Sequence, residues 1–391
     1  MENKQNIKLR IPIKPELLRW ARERAGRTVE SLEKAFPKYA QWERGEAQPT
    51  LKQLEHLAQT LHVPSGFLFL EAPPEEPLPV PDFRTMPQAR LSRPSPELLE
   101  TIYICQQRQE WYRNYLLSTG ETSLPFVGSA TVKDDVNAVA AEIRARVKLD
   151  IQERNIIPTW TQALSRFIDQ VEQIGVLVMV NGIVGNNTHR RLSPEEFRGF
   201  VLVDDLAPLI FINGSDTLSG KTFTLAHELA HIWLGESGIS DARLDAYPRE
   251  TVEHWCNQVA AEMLVPMTVL EEHYEPGNEL SQELSRLARI FKVSSLVILR
   301  RLFDAKFLDW NAYKQAYEDE LQRLRAYERP AKKEEGGNFF HTLSRRVSKR
   351  FAMALISSTL EGQTLFRDAY ALLGVSKTET FKKFAQEIGV G

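Results

Sequence analysis

Cysteine is nearly absent: Cys105 and Cys256 are the only two in 391 residues. That excludes a disulfide-stapled scaffold, leaves room for one bridge at most, and suits a reducing compartment. Long apolar runs are missing as well; none approaches 18 residues, so no membrane span is expected. The opening stretch MENKQNIKLRIPIK has no apolar centre, so no signal peptide is expected and the reading is cytoplasmic. Histidine is scarce, with 8 in the chain, which makes any ordered pair of histidines informative. A dominant charge is lacking too, the formal net being −3.

The small net charge conceals an uneven distribution. Residues 1–70 hold 12 Lys/Arg against 8 Asp/Glu, residues 325–391 hold 12 against 7, and the middle is acidic. Basic ends around an acidic centre permit nucleic-acid contact at the ends without requiring it. Apolar content of 42% and charged content of 26% are those of a soluble globular protein, and the length suffices for two or three domains.

The richest stretch is KTFTLAHELAHIWLG, residues 221–235, which contains His227-Glu228-Leu229-Ala230-His231. Positions four apart share one helix face, so both imidazoles can reach one ion. Glu228 follows the first histidine directly and can stand beside a water at the metal as its proton acceptor. Leu225, Ala226, Leu229, Ala230, Ile232, Trp233 and Leu234 make the helix largely apolar, and Gly235 is a plausible stop. A helix this apolar is expected to be buried, where two histidines and a glutamate need partners or a metal. The plain alternative is a core helix that happens to carry two histidines; with so few histidines, chance supplies HExxH in about one such chain in a hundred.

A catalytic zinc site takes three protein ligands. The HxxGxxH continuation is absent, because Ser237 stands where a third histidine would be. The next candidates lie on residues 250–266, a second helix ended by Pro266. Glu253 follows His231 by 22 residues; Asn257, one turn on, can support a ligand histidine. Glu262 comes nine positions after Glu253, about 180° round the helix, so the two cannot readily serve one ion. Glu253 is the chosen third ligand and Glu262 the reserve. Cys256 reads as a small buried apolar residue.

FTLAHELAHIWL followed by VEHWCNQVAAEMLVP resembles the ImmA/IrrE family of zinc-dependent, gluzincin-like peptidases, over about residues 137–266. The resemblance implies Zn2+ held by His227, His231 and Glu253, with Glu228 as general base. It also implies limited cleavage of a regulatory protein, such as a repressor or an antitoxin-like partner, in gene control or stress response.

Residues 15–70 read as short helices: PELLRWARER ended by Gly26, TVESLEKAF with Thr28 as N-cap, and TLKQLEHLAQTLHVP with a leucine stripe. Residues 42–63 resemble the Xre/Cro-type helix-turn-helix domain, which reads DNA with its third helix in the major groove. The chain departs from that pattern where base-reading side chains belong, since only PKYAQ fills the space before Trp42. Lys38, Tyr39, Gln41 and Arg44 are the candidate DNA contacts. The alternative is a helical dimerisation or docking domain.

Residues 72–96 hold eight of the 21 prolines, which read as a linker or an extended arm, with Phe83 isolated among them as a candidate clamp. Helices are expected over 95–118, 134–147 and 159–174. Strands are expected at 176–180, 200–204 and 209–213, the last two forming a hairpin. A small sheet just before an HExxH helix is the zincin arrangement, in which an extended substrate adds to a sheet edge. Beyond 278 a helix-turn-helix pattern follows, then a hinge near 330 and amphipathic helices carrying a basic set, Arg345, Arg346, Lys349 and Arg350. That set reads as a solvated face, and the last helix-turn-helix-like segment as a contact for DNA or a partner protein.

The expected fold is therefore α+β and mostly helical. Residues 1–71 form a helix-turn-helix bundle, 72–96 a linker, 97–329 a zincin-like domain, and 330–391 a C-terminal helical domain. The expected function is a zinc endopeptidase acting on a protein partner, with DNA and a homodimer as further possible partners and no membrane. The competing reading is a DNA-binding repressor or antitoxin with a structural zinc. The intact Glu228 favours catalysis. Tyr247, His254 and His273 are the candidates for steadying the oxyanion.

Overall fold

The computed structural model describes residues 9–82, 94–240, 251–327 and 339–390. The chain divides into two compact units, one of residues 1–79 with 92–100 and the other of residues 80–91 with 101–391.

In the first unit four helices, α1 (Pro15–Arg24), α2 (Val29–Glu33), α3 (Tyr39–Glu43) and α4 (Leu51–Leu61), surround a core of Leu18, Trp20, Tyr39, Trp42, Leu54 and Leu57. Local chemistry sets their ends. Pro15 opens α1, Thr28 accepts from the Ser31 amide at the start of α2, and Thr50 and Gln53 form a reciprocal capping box on α4. The stretch expected to face DNA is short, as read, but Tyr39 corrects the list. Its ring is fully buried and its hydroxyl donates to the Leu18 carbonyl at 2.8 Å, because α3 is one and a half turns long and spends Tyr39, Trp42 and Glu43 on the core. Lys38, Gln41 and Arg44 are exposed, Arg44 being paired with Glu46 at 2.8 Å.

The second unit carries the sheet. Three of its helices precede the strands: α6 (Val136–Val147), α7 (Ile151–Ile156) and α8 (Trp160–Gln173), with α5 (Pro96–Thr119) leading in. Strands β1 (Leu177–Asn181), β4 (Gly199–Leu202), β5 (Leu209–Asn213) and β6 (Gly238–Ser240) form one mixed sheet in the order β1-β5-β4-β6. Strands β2 (Ile183–Val184) and β3 (Asn187–Arg191) make a separate two-stranded ribbon. The expected hairpin is present: β4 and β5 pair antiparallel with Phe200 opposite Phe211, rings stacked at 4.9 Å. Asp204 accepts from the Leu206 and Ala207 amides, both at 2.9 Å, which holds the turn. The ribbon and β6 have no counterpart among the expected strands.

Helix α9 (Leu218–Leu234) crosses behind the sheet, and α10 (Thr251–Leu264) packs along it. Thr217 caps the first end of α9, accepting from the Gly220 amide at 3.0 Å, and Gly235 closes the other in the left-handed conformation at φ 75°. Then follow α11 (Met267–His273), α12 (Leu280–Phe291), α13 (Ser295–Asp304) and α14 (Trp310–Tyr327). The helix-turn-helix pattern beyond 278 is thus α12 and α13, whose Leu284, Leu287, Val297 and Leu302 join the main core.

The residues expected as a separate C-terminal domain, α15 (Phe339–Val347), α16 (Lys349–Leu360), α17 (Phe366–Leu373) and α18 (Thr378–Glu387), belong to the second unit. The reading of their basic set as a solvated face does not hold for the arginines. Arg345 pairs with Asp169 at 2.7 Å, Arg346 bonds Asn186 at 3.2 Å, and Arg350 donates to the Tyr112 hydroxyl at 2.7 Å, so these side chains dock the helices; Lys349 is exposed. Between α15 and α16 stands Ser348, which has φ 71°, donates to Glu172 and accepts from the Phe351 amide. The isolated Phe83 lies outside the described residues. Both cysteines are free and buried.

Candidate metal centre

Helix α9 is buried all round over its middle turns, so its polar residues must find partners inside the protein. His227 and His231, one turn apart, turn toward α10, and Glu253 on the first turn of α10 meets them. The His231 Nε2 lies 3.1 Å from the His227 Nε2 and 3.0 Å from Glu253 Oε1; the His227 Nε2 lies 3.3 Å from Glu253 Oε2. Three electron-pair donors thus converge, each at most 1% exposed. A tetrahedral ion with legs of about 2.0 Å separates its donors by about 3.3 Å, so two imidazoles and one carboxylate at this spacing fit a zinc-type cation.

The electrostatics follow from this crowding. Burial works against the Glu253 carboxylate, yet the two imidazoles outweigh it and hold the group down at about 2. Burial likewise opposes the charged form of His227, and Glu253 overcomes that and raises it, with Asn257 contributing. The His227 Nδ1 is buried without a hydrogen-bond partner among the described residues, so the support expected from Asn257 at a ligand histidine's other nitrogen is not seen at His227.

Glu228 points off the same helix toward the sheet. It is 0% exposed, and burial pushes its carboxyl up against the opposing influence of both histidines and of Ser240. The Ser240 hydroxyl donates to Oε1, while Oε2 is buried without a hydrogen-bond donor among the described residues. Gly199, paired with Ser240 across β4 and β6, leaves room for this: a Cβ there would stand 2.4 Å from the Thr224 methyl and 3.0 Å from Glu228 Oε1. Ser240 and Gly199 escape sequence reasoning, because a three-residue strand and one glycine carry no periodic signal.

Glu262, the reserve ligand, is engaged elsewhere. It pairs with Arg301 on α13 and accepts from the Met267 amide, while Arg144 donates to its backbone carbonyl at 2.6 Å. The half-turn offset between Glu253 and Glu262 sends one carboxylate to α9 and the other to α13. Ser237, where a third histidine is missing, accepts from the Val203 amide at 2.8 Å. Cys256 is fully buried, and burial drives its thiol well above the ordinary range, as befits a packing residue. Among the candidate oxyanion partners, His273 is held by the Val269 carbonyl at 2.9 Å and packs on Phe291, His254 is half-buried beside Glu253, and Tyr247 lies outside the described residues.

Residues 171–303 match the peptidase M78 family, described as the IrrE N-terminal-like domain. That segment is about a third of the chain and contains β1 to β6, α9 and α10. Over 92 residues the chain is 35% identical to the radiation response metalloprotease IrrE of Deinococcus radiodurans, covering 22% of this chain and 28% of that protein. The likeness supports the ImmA/IrrE family for the segment holding the His-His-Glu cluster, and a peptidase within it. Residues 347–387 match a domain of unknown function, DUF8813, which covers α16 to α18. Among the described residues no helix is long and apolar enough to cross a membrane.

Proposed function

We propose that this protein is a zinc-dependent endopeptidase that cleaves a regulatory protein partner, a repressor or antitoxin-like protein, in a cytoplasmic stress or transcriptional response. The observation that carries the reading is the convergence of His227, His231 and Glu253 within 3.3 Å, next to a buried glutamate with one free oxygen. The IrrE-like segment supports the peptidase class and the stress setting.

His227, His231 and Glu253 would hold the ion. When bound, zinc supplies Lewis acidity toward the scissile carbonyl and toward the attacking water. The chain's own part is proton handling. Glu228 Oε2 takes the proton of the attacking water and returns it to the leaving amine nitrogen. Ser240 fixes the other oxygen, so the carboxylate keeps one face and one rotamer. Burial raises the Glu228 carboxyl toward the pH at which it works, which suits a group that must accept a proton and then release it. The DNA reading attaches to the first unit, where Lys38, Gln41 and Arg44 are the exposed candidates and the short α3 limits base readout.

Elemental analysis of the dialysed protein tests the site. About one zinc per chain is expected in the wild type, in Glu262→Ala and in Glu228→Gln, with loss in Glu253→Ala. A wild type that retains no metal after resupply would sink the peptidase reading.

A further inference from the structure

Strand β6 is the outermost strand of the sheet, and it sits beside Glu228. Its inner edge pairs with β4 through Gly199 to Val201. Its outer edge is also taken: the Ile239 amide donates to the Pro81 carbonyl at 3.0 Å, and Asp82 pairs with Ile239 in the parallel sense. Residues 80–82, the end of the described proline arm, thus add a rung to the sheet. They do so one residue away from Ser240, which holds the Glu228 carboxylate. Ile239 and Ser240 are fully buried, and His227, Glu228 and His231 are at most 1% exposed.

The arm's chemistry suits this position. In PLPVPD, residues 77–82, every second residue is proline. Proline fixes φ near −65° and holds the arm extended, which lowers the entropy lost on docking. The Pro81 carbonyl faces β6, so proline at this position removes an N–H on that same side and the arm meets the Ile239 amide as an acceptor. An extended peptide that adds to β6 needs the same Ile239 N–H. The arm and such a peptide are therefore mutually exclusive.

We infer that the outer edge of β6 is the peptide-docking edge of the metal centre, and that residues 80–82 are its resident occupant, displaced when an extended protein segment adds as a strand. The consequence for turnover rests on the peptidase reading above; the occupancy does not. A short tether holds the arm at an effective concentration on the order of millimolar. With an intrinsic Kd of about 100 μM for the arm itself, a free peptide then meets roughly tenfold competition.

The test uses the full chain in the Glu228→Gln background, so that no probe is cut. In one version residues 77–82 are replaced by alternating glycine and serine. The probe is fluorescein-labelled PLPVPDFR, followed by anisotropy. The loosened variant is expected to bind it at least tenfold more tightly than the chain with its arm intact. Equal affinities, or no binding to the loosened variant, would overturn the inference. Amide exchange gives a second readout without the probe: the Ile239 N–H should exchange at least tenfold faster in the loosened variant, and unchanged exchange would also overturn it. With Glu228 restored, the loosened variant should cleave peptides faster. Absence of turnover in both chains, with the binding result intact, would remove the peptidase reading and leave the occupancy standing.

Discussion

Two buried glutamates on α10, nine residues apart, should give opposite signatures when each is replaced by alanine. Glu262 is paired with Arg301, which is itself 6% exposed and otherwise bonded to the Val265 carbonyl at 3.0 Å. Removing Glu262 leaves that guanidinium buried without its counter-charge, a loss of about 3–5 kcal/mol. For a unit of this size each kcal/mol lowers Tm by about 2–4 °C, so Glu262→Ala should melt about 6–20 °C lower while still taking up metal. Replacing both partners with apolar residues, Glu262→Met with Arg301→Leu, should recover most of the loss, because no charge is then stranded. On the proposed function Glu253 is a metal ligand instead. At free zinc 100-fold above Kd, binding stabilises the wild type by about 2.7 kcal/mol. That corresponds to a rise in Tm of about 5–11 °C, which Glu253→Ala should lose. The assay is a thermal melt of each variant with chelator and with zinc, alongside elemental analysis. A Glu262→Ala protein that melts with the wild type, or that no longer responds to zinc, would refute the division of labour.

Glu228→Gln should keep its zinc and its fold yet lose turnover by about 10²–10⁴-fold, measured on a cleaved partner or a quenched peptide. Ser240→Ala removes a donor to the Glu228 carboxylate, so the carboxyl should rise further; the acidic limb of the kcat/KM profile moves to higher pH, and an unmoved limb would count against Glu228 as the base. Gly199→Ala places a methyl against Thr224, the Phe211 carbonyl and Glu228, which should cost about 1–3 kcal/mol in a denaturant titration and depress activity beyond that loss of fold. In the first unit, Tyr39→Phe should lower stability by about 1 kcal/mol through the bond to Leu18, whereas Lys38→Ala, if the unit binds DNA, should reduce the salt slope of binding by about one.

Much of the centre was legible because its information is local. The i, i+4 spacing of His227 and His231 places both on one face, and the nine-residue offset of Glu253 and Glu262 already shows that they must diverge. The caps Thr28, Thr50 and Gly235, and the β-rich runs at β1, β4 and β5, work through neighbours in the chain. Tyr39 was misread because a polar aromatic in a short helix is ambiguous until its neighbours are known; Arg345 and Arg350 were misread because a charge run looks the same whether it faces water or Asp169 and Tyr112. Strand β6 was invisible, since GIS has no alternation to detect.

By itself, then, the sequence determined that His227 and His231 share one face with Glu228 beside them, and which helices carry them, because helical periodicity turns spacing into direction. Tertiary structure alone decided that Glu253 closes the triad, that Ser240 anchors Glu228, and that Pro81 and Asp82 lie on the neighbouring edge. Those contacts join residues that are 12 to more than 150 positions apart. They depend on how the sheet and α10 pack against α9, and no local pattern encodes that.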